Sequence, residues 1–373
     1  MKQYTSLYFV GAGGIGMSAL VRYFLAKGYK VAGYDRTQSP LTTELKTEGL
    51  EIVYEESVES IPDYCRNPET TLVVYTPAIP ASHAGLVYFR EHGFRVVKRA
   101  ELLGLITQSS RGLCFAGTHG KTTTSSMAAH IFHESPIGCN AFLGGILRNY
   151  NSNLILSEQS PFTVIEADEY DRSFHWLHPY MAVVTATDPD HLDIYGTEEA
   201  YLESFAHFTS LIQPGGCLIM KKGIRLVPNV KEGVKIYTYS ARDGGDFHAG
   251  NIRIGDGTIV FDFVTPEGVF ADIELGVPVE INIENAVAAM AIAWLNGVSG
   301  DNLRRAMASF KGAKRRFEFW VRRPDRVMID DYAHHPDELK ASIRSVKALY
   351  PGRRLSVIFP VSYTHLTLPT NSR

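Results

Sequence analysis

The chain has 373 residues, of which 45% are hydrophobic and 32 are glycine, which is typical of a soluble globular protein of two or three domains. Its 37 Lys and Arg residues nearly balance 40 Asp and Glu residues, and this balance argues against a nucleic-acid partner. The longest apolar stretch, residues 286–295, is shorter than the ~20 residues of a membrane span. This length argues against a membrane partner. The four cysteines form no Cys-x-x-Cys pair, so we expect no disulfides and a reducing cytoplasm.

The first predicted elements are a strand over residues 6–10, a glycine-rich turn and a helix that ends near residue 28. The turn matches G-x-G-x-x-G, and its glycines are Gly11, Gly13, Gly14 and Gly16. Asp35 ends the next strand about 20 residues on, where a ribose-binding acid would lie. The same geometry serves NAD, FAD, a UDP-sugar or a purely structural turn, and Asp35 is either a ligand contact or a strand-end cap. Further strands over 71–75 and 95–98 alternate with helices and predict a parallel sheet.

A second glycine loop follows the polar stretch 108–112, where we place a domain boundary. It has the sequence Gly117-Thr118-His119-Gly120-Lys121-Thr122 and lies between a predicted strand and a predicted helix. The common phosphate-binding loop would have its first glycine at position 115, where Phe115 stands, so this loop is a shorter variant. Lys121 can still reach the β- and γ-phosphates of a nucleotide, and the Thr122 hydroxyl can still bind Mg²⁺.

Acidic side chains follow the next two predicted strands. Glu166 and Asp168 close one strand, and Asp188, Asp190 and His191 follow the other. Because parallel strands end at one edge of a sheet, these groups are expected beside the phosphate loop, where they suit a metal site. Mg²⁺ needs only one or two carboxylates, and His191 would be an unusual nitrogen ligand. The alternative is that the acids are solvated strand ends and that His191 is a hydrogen-bonded loop residue.

The rest of the chain predicts a β-rich zone over residues 234–275, a helix from about residue 281, and a basic run from residue 312. Asn282 and Asn285 lie three apart at the start of the helix, where they either face a common ligand or cap the helix. Arg316 and the segment 330–336 form either an exposed turn or the far wall of a nucleotide cleft. Only about 60 residues follow Gly312, fewer than the ~100 of a usual domain.

These segments, taken in order, resemble the Mur ligase family from about Tyr8 to Phe359. The segments that carry the resemblance are FVGAGGIGMSAL, AGTHGKTTT, EADEYDRSF, DPDHLDIYG, INIENAVAA, GAKRRFEF and DDYAHHPDE. The resemblance implies an α/β fold with three domains. These are a Rossmann-like UDP-sugar-binding domain (1–107), a central ATP-binding ligase domain with a parallel sheet and a small β region (108–312), and a partial Rossmann-like domain (313–359).

The activity that the resemblance implies is ATP-dependent ligation of L-alanine to UDP-N-acetylmuramate through an acyl-phosphate, in peptidoglycan synthesis, by a monomer or weak homodimer. ATP and Mg²⁺ are the implied cofactors. The implied catalytic residues are Lys121, Glu166 and His191, and the implied metal ligands are Thr122, Glu166 and His191. The implied ATP-binding residues are Gly117, Thr118, His119, Gly120, Lys121, Thr122, Thr123, Asn282, Asn285, Arg316 and Asp331. The implied UDP-sugar contacts are Gly11, Gly13, Gly14, Gly16, Asp35 and Thr76, and the implied amino-acid contacts are Tyr332 and His334.

The C-terminus departs from the family pattern after LSVIF. The family continues there with more of its third domain, whereas this chain turns to PVSYTHLTLPTNSR. We interpret residues 360–373 as a non-native tail on a truncated chain. Such a chain would lack part of its amino-acid site, and we expect it not to turn over.

Parts of the sequence are also compatible with three other functions. An NAD-dependent oxidoreductase would account for the first glycine loop and Asp35 but leaves the second loop unexplained. A nucleotide-binding regulatory protein would bind both nucleotides without forming ADP. The muropeptide-recycling ligase of the same family would accept a tripeptide in place of alanine.

Overall fold

The N-terminal region is a five-stranded parallel sheet with strand order β3-β2-β1-β4-β5. The structure is a computed structural model that describes residues 3–242, 244–333 and 336–359, without the side chains of 336–338. Every residue of the central strand β1 is buried, as expected for a sheet covered on both faces. The elements are β1 (Ser6–Val10), α1 (Ile15–Ala26), β2 (Lys30–Tyr34), α2 (Pro40–Thr47), β3 (Glu51–Val53), β4 (Thr71–Tyr75), α3 (Ala84–Glu91), β5 (Arg95–Lys98) and α4 (Arg99–Gln108).

The central region is built on a ten-stranded sheet with order β15-β14-β13-β12-β11-β10-β6-β9-β7-β8. Its strands are β6 (Arg111–Ala116), β7 (Asn140–Leu147), β8 (Ser152–Ile155), β9 (Phe162–Glu166), β10 (Pro179–Val184), β11 (Cys217–Lys221), β12 (Lys235–Ser240), β13 (Phe247–Gly255), β14 (Thr258–Thr265) and β15 (Gly268–Glu274). Neighbouring strands pair in parallel along the run β13-β12-β11-β10-β6-β9-β7, while β8, β14 and β15 pair antiparallel. The predicted β-rich zone therefore continues the main sheet.

Among the described residues of the central region, the α-helices are α5 (Lys121–His133), α6 (Leu192–Tyr195), α7 (Glu198–Ser210), α8 (Ile281–Leu295) and α9 (Gly300–Ser309). Helix α8 is apolar around most of its circumference, which indicates a helix enclosed on all sides. It packs against α5, and Thr124 on α5 donates a hydrogen bond to Asn285 on α8 at 3.2 Å. The helix that carries the second glycine loop therefore rests on a rigid support.

The C-terminal region holds the antiparallel pair β16 (Glu318–Arg322) and β17 (Val327–Asp330), followed by α10 (Pro336–Leu349). It is tied to the central sheet by an ion pair of Arg148 with Glu318 at 3.1 Å. Residues 360–373 and His334 lie outside the described residues. The mixed α/β architecture predicted from the sequence is confirmed. Over the described ranges, we find no helix with the length and apolar character needed to cross a membrane.

Candidate active site

The second glycine loop joins the end of β6 to the start of α5, the strand-to-helix position that the sequence predicted. Gly120 has φ +83°, and a Cβ atom there would lie 2.9 Å from the side-chain oxygen of Asn285, so glycine is required. The Thr118 hydroxyl donates to the Asp188 carbonyl at 2.7 Å, while His119 is exposed and Thr123 is half-buried. The loop thus leaves the first turn of α5 open toward solvent, as a phosphate site requires.

Lys121 is held by two oxygens. Its Nζ donates to the Gly117 carbonyl and to Glu169 Oε1, both at 2.7 Å. Burial raises the pKa of Glu169, and the charge of Lys121 opposes that effect. Only 1% of the Glu169 side chain is exposed, and its Oε2 has no hydrogen-bond partner among the described residues. The Lys121 ammonium group therefore lies against the loop, and one of its three hydrogens is bonded to Glu169.

Sequence reasoning missed Glu169. The residue stands in EADEYD between the predicted Glu166 and a loop, and the only available signal was the density of acids in that segment. Nothing in the sequence indicated which of these acids faces Lys121.

Thr122 and Glu166 lie together at the carboxyl edge of the sheet. The Thr122 hydroxyl donates to Glu166 Oε1 at 2.9 Å, and the Gly144 amide donates to Oε2 at 3.0 Å. Burial raises the pKa of Glu166, and the hydrogen bond from Thr122 works in the opposite direction. This pairing fits the prediction that strand-end acids gather beside the phosphate loop, because β9 is the direct neighbour of β6.

The donor set at this edge fits Mg²⁺ through Thr122 and Glu166, since both offer oxygen atoms to a hard cation. His191 has other contacts: its Nε2 is 3.7 Å from Asp190, and its ring meets Tyr170 edge-on. Within the part of the chain that the structure describes, no three His, Cys, Asp or Glu side chains form a group that could hold a metal. A metal-binding role for His191 therefore stays a prediction.

Asn282 and Asn285 form a buried pair beneath the loop. Asn285 Nδ2 donates to Asn282 Oδ1 at 3.1 Å, and Asn282 Nδ2 donates to the Val277 carbonyl at 3.1 Å. Their amides therefore face one another and the loop, and neither side chain caps α8, whose N-cap residue is Glu280. Asn285 contacts both Gly120 and Thr124, which connects the loop to the buried helix.

Of the C-terminal candidates, the described residues Arg316, Asp331 and Tyr332 lie on neighbouring segments. The Arg316 guanidinium is 5.6 Å from the centre of the Tyr332 ring, and Asp331 accepts a hydrogen bond from the Phe317 amide at 3.2 Å. The preceding segment enters beside the phosphate loop, because a Cβ atom at Gly145 would lie 3.3 Å from Ala313 Cβ and 3.5 Å from the Thr122 methyl. The structure therefore brings this segment to the loop.

The first glycine loop is ordered by Asp35. Its carboxylate accepts hydrogen bonds from the Gly13 amide at 2.6 Å and from the Thr37 amide at 3.1 Å. The Asp35 carboxylate thus bonds to the backbone of the glycine loop and of its own turn in this structure. Gly11 has φ +90° and packs against Thr76, whose methyl would lie 2.6 Å from a Cβ atom at that position.

A cavity of about 350 Å³ connects the two regions. It lies between the start of α1 and the edge of the central sheet, and its walls include Gly14, Gly16, Thr76, Arg99, Glu166 and Asp168. The regions are joined beside it by a hydrogen bond from Asn153 to the Ile15 carbonyl at 2.6 Å. A ligand in this cavity can therefore contact the first glycine loop and Glu166 at once.

Comparison with known families matches nearly the whole chain. The Mur ligase family catalytic domain matches residues 6–111, the Mur ligase middle domain matches 115–293, and the Mur ligase glutamate ligase domain matches 315–362. The chain belongs to the Mur ligase family. This membership confirms the resemblance drawn from the sequence motifs.

Two curated relatives of this chain carry the same name. A protein of Parabacteroides distasonis is 65% identical over 98% of this chain and 79% of its own length, and it is named UDP-N-acetylmuramate–L-alanine ligase. A protein of Porphyromonas gingivalis with the same name is 55% identical over 95% of this chain and 78% of its own length.

Solved structures agree on the fold. The UDP-N-acetylmuramate–alanine ligase MurC of Thermotoga maritima superposes with a TM-score of 0.78 at 25% identity, covering 93% of this chain and 78% of that protein. A murein peptide ligase of Psychrobacter arcticus superposes with a TM-score of 0.71 at 25% identity, covering 92% of this chain and 76% of that protein.

Proposed function

We propose that this Mur ligase uses ATP to join L-alanine to UDP-N-acetylmuramate, the two substrates in the names of its curated relatives. The observation that supports this best is the position of Glu166, which accepts a hydrogen bond from Thr122 of the phosphate loop and lines a cavity that reaches the first glycine loop. One ligand can span this cavity, with its nucleotide end at the glycine loop and its reactive carboxylate near Glu166.

The chemistry needs positioning and charge neutralisation. An oxygen of the substrate carboxylate attacks the γ-phosphorus of ATP, the bond to the β-phosphate oxygen breaks, and ADP leaves an acyl-phosphate behind. The alanine amine then attacks the acyl carbon, inorganic phosphate departs, and the amine proton passes to solvent. Lys121 would leave Glu169 to neutralise the phosphate oxygens, while the first turn of α5 offers amide hydrogens to them.

Mg²⁺ is part of the proposal, held by Thr122 and Glu166, with His191 as a further predicted ligand. When bound, the ion neutralises charge on the transferred phosphoryl group. Glu166 suits this role because its buried carboxylate gains from a nearby cation, which would lower the pKa that burial raises.

The C-terminal region would complete the site. In this proposal Asn282 and Asn285 lie on the adenine or ribose side, Arg316 and Asp331 close over the nucleotide, and Tyr332 and His334 form the near wall of the alanine pocket. Support comes from the approach of Ala313 to the phosphate loop. A cytoplasmic location and a monomer or weak homodimer remain predictions from the sequence.

The test is ADP release measured with ATP, Mg²⁺ and UDP-N-acetylmuramate, with and without L-alanine. In a version extended to the length of its curated relatives, we expect sustained ADP release only when the sugar nucleotide and alanine are both present, and none from Lys121→Ala. Activity with the tripeptide L-Ala-γ-D-Glu-meso-diaminopimelate in place of alanine would favour the recycling ligase instead.

Ligand binding can be measured even if the chain does not turn over. Calorimetric binding of UDP-N-acetylmuramate without binding of NADH would support the ligase, and binding of NADH alone would refute it.

A further inference from the structure

We propose that Arg99 is a substrate-binding residue that pairs with an anionic group of the sugar nucleotide. The proposal rests on the proposed function, and it assigns a role to a side chain that the motifs did not single out. Its basis is the position of Arg99 in the cavity, its lack of a protein partner, and the distribution of charge along the cavity wall.

Arg99 lies at the junction of β5 and α4, as the first residue of that helix. Its guanidinium packs on the first glycine loop, because a Cβ atom at Gly16 would lie 2.8 Å from Arg99 Nη1. The side chain is half-buried and lines the cavity together with Gly14 and Gly16. The arginine therefore stands where a ligand at the start of α1 would meet it.

The neighbouring cations have partners and Arg99 does not. Arg95 pairs with Glu101 at 3.2 Å, and Lys98 pairs with Asp171 at 2.9 Å. Across the described ranges, no carboxylate or hydrogen-bond acceptor pairs with the Arg99 guanidinium. A half-buried cation without a counter-charge loses hydration without compensation, and a bound oxyanion would restore it.

Charges of both signs line the cavity. Arg99 lines it together with Glu166 and Asp168, and the same three side chains also line a second, much smaller cavity. Among the described residues neither acid forms an ion pair with Arg99, so the guanidinium can accept a bound anion. The sugar nucleotide offers two such groups, the diphosphate and the lactyl carboxylate, and both present oxygens in the planar or forked geometry that a guanidinium binds well.

The experiment is calorimetric titration of the full chain and its variants with UDP-N-acetylmuramate and with UDP-N-acetylglucosamine, which lacks the lactyl carboxylate. The variants are Arg99→Ala, Arg99→Lys and, as a matched control that removes a neighbouring paired cation, Lys98→Ala. We expect Arg99→Ala to weaken binding roughly 10- to 100-fold, the usual effect of losing a hydrogen bond to a charged group. The affinity of Arg99→Lys should lie between those of Arg99→Ala and the unmodified chain, and Lys98→Ala should bind as tightly as the unmodified chain.

The two titrations show which anionic group of the ligand Arg99 binds. An equal loss for both sugar nucleotides assigns Arg99 to the diphosphate, whereas a loss for UDP-N-acetylmuramate alone assigns it to the carboxylate. Unchanged affinity of Arg99→Ala for both ligands would overturn the proposal.

ATP affinity serves as a control for folding. It should be the same in all variants, because a correctly folded variant keeps its phosphate loop. If Arg99→Ala loses ATP binding, the comparison uses Arg99→Lys in its place. If the unmodified chain binds neither sugar nucleotide, the proposed function fails first, and the fault does not lie with Arg99.

Discussion

His130 should make the stability of this enzyme depend on pH. It lies on α5, nine residues after Lys121, and is 1% exposed. Its Nδ1 is 2.6 Å from the Tyr150 hydroxyl, and its Nε2 is 2.9 Å from the Ser309 hydroxyl. Burial lowers the pKa of His130 from 6.5 to about 4, so the folded protein keeps this imidazole neutral in mildly acidic solution.

The size of the effect follows from linkage. Between pH 6.5 and 4, His130 is protonated in the unfolded chain and neutral in the folded chain. The free energy of unfolding therefore falls as the pH falls. The whole difference in pKa corresponds to roughly 3 kcal/mol, of which about 2 kcal/mol is already lost at pH 5. Above pH 7 the histidine is neutral in both states and contributes no pH dependence.

Urea unfolding at pH 7.5 and pH 5 tests this value in the unmodified protein, His130→Gln and His133→Gln. His133 lies one turn away on the same helix and is exposed, so it serves as the matched control. We expect the unmodified protein and His133→Gln to lose about 2 kcal/mol more than His130→Gln on acidification. Equal losses in all three proteins would refute the assignment of a neutral buried histidine.

Three predictions concern the site. In a version extended to the length of its curated relatives, Lys121→Ala should abolish ADP formation yet leave calorimetric binding of UDP-N-acetylmuramate intact, and an unchanged rate would contradict the phosphate-loop assignment. In the same version Thr122→Val removes the hydroxyl that donates to Glu166, so ADP formation should need more Mg²⁺, and an unaltered Mg²⁺ titration would exclude that role. Gly11→Ala should weaken binding of the sugar nucleotide because its new methyl meets a threonine methyl 2.6 Å away, whereas Gly93→Ala, at φ +75° with open space, should cost only stability. Equal affinities in the two glycine variants would refute the steric argument.

The sequence predicted those parts of the site that depend on backbone alone. Both glycine loops lie between a strand and a helix, and Glu166 ends a strand that neighbours β6. Glycine spacing and apolar runs encode these placements locally, so they can be recognised without knowing the packing.

Side-chain pairings could not be predicted in the same way. Lys121 reaches Glu169, and Asn285 reaches Gly120, across 48 and more than a hundred residues of chain. Asp35 left two interpretations open at the sequence level, and only the distance of 2.6 Å to the Gly13 amide shows what it bonds. Such contacts depend on how elements pack, which no short motif records.

The edge strand β8 has a consequence for how the chain can be divided. It ends the ten-stranded sheet, and α1 of the N-terminal region lies against it, with Asn153 on β8 bonded to the Ile15 carbonyl. At the opposite end, β15 is covered by α9. An uncovered edge strand is a template for pairing between chains. A fragment that begins at residue 108 would therefore expose β8 and tend to aggregate, so the N-terminal region protects the central sheet as well as forming one wall of its cavity.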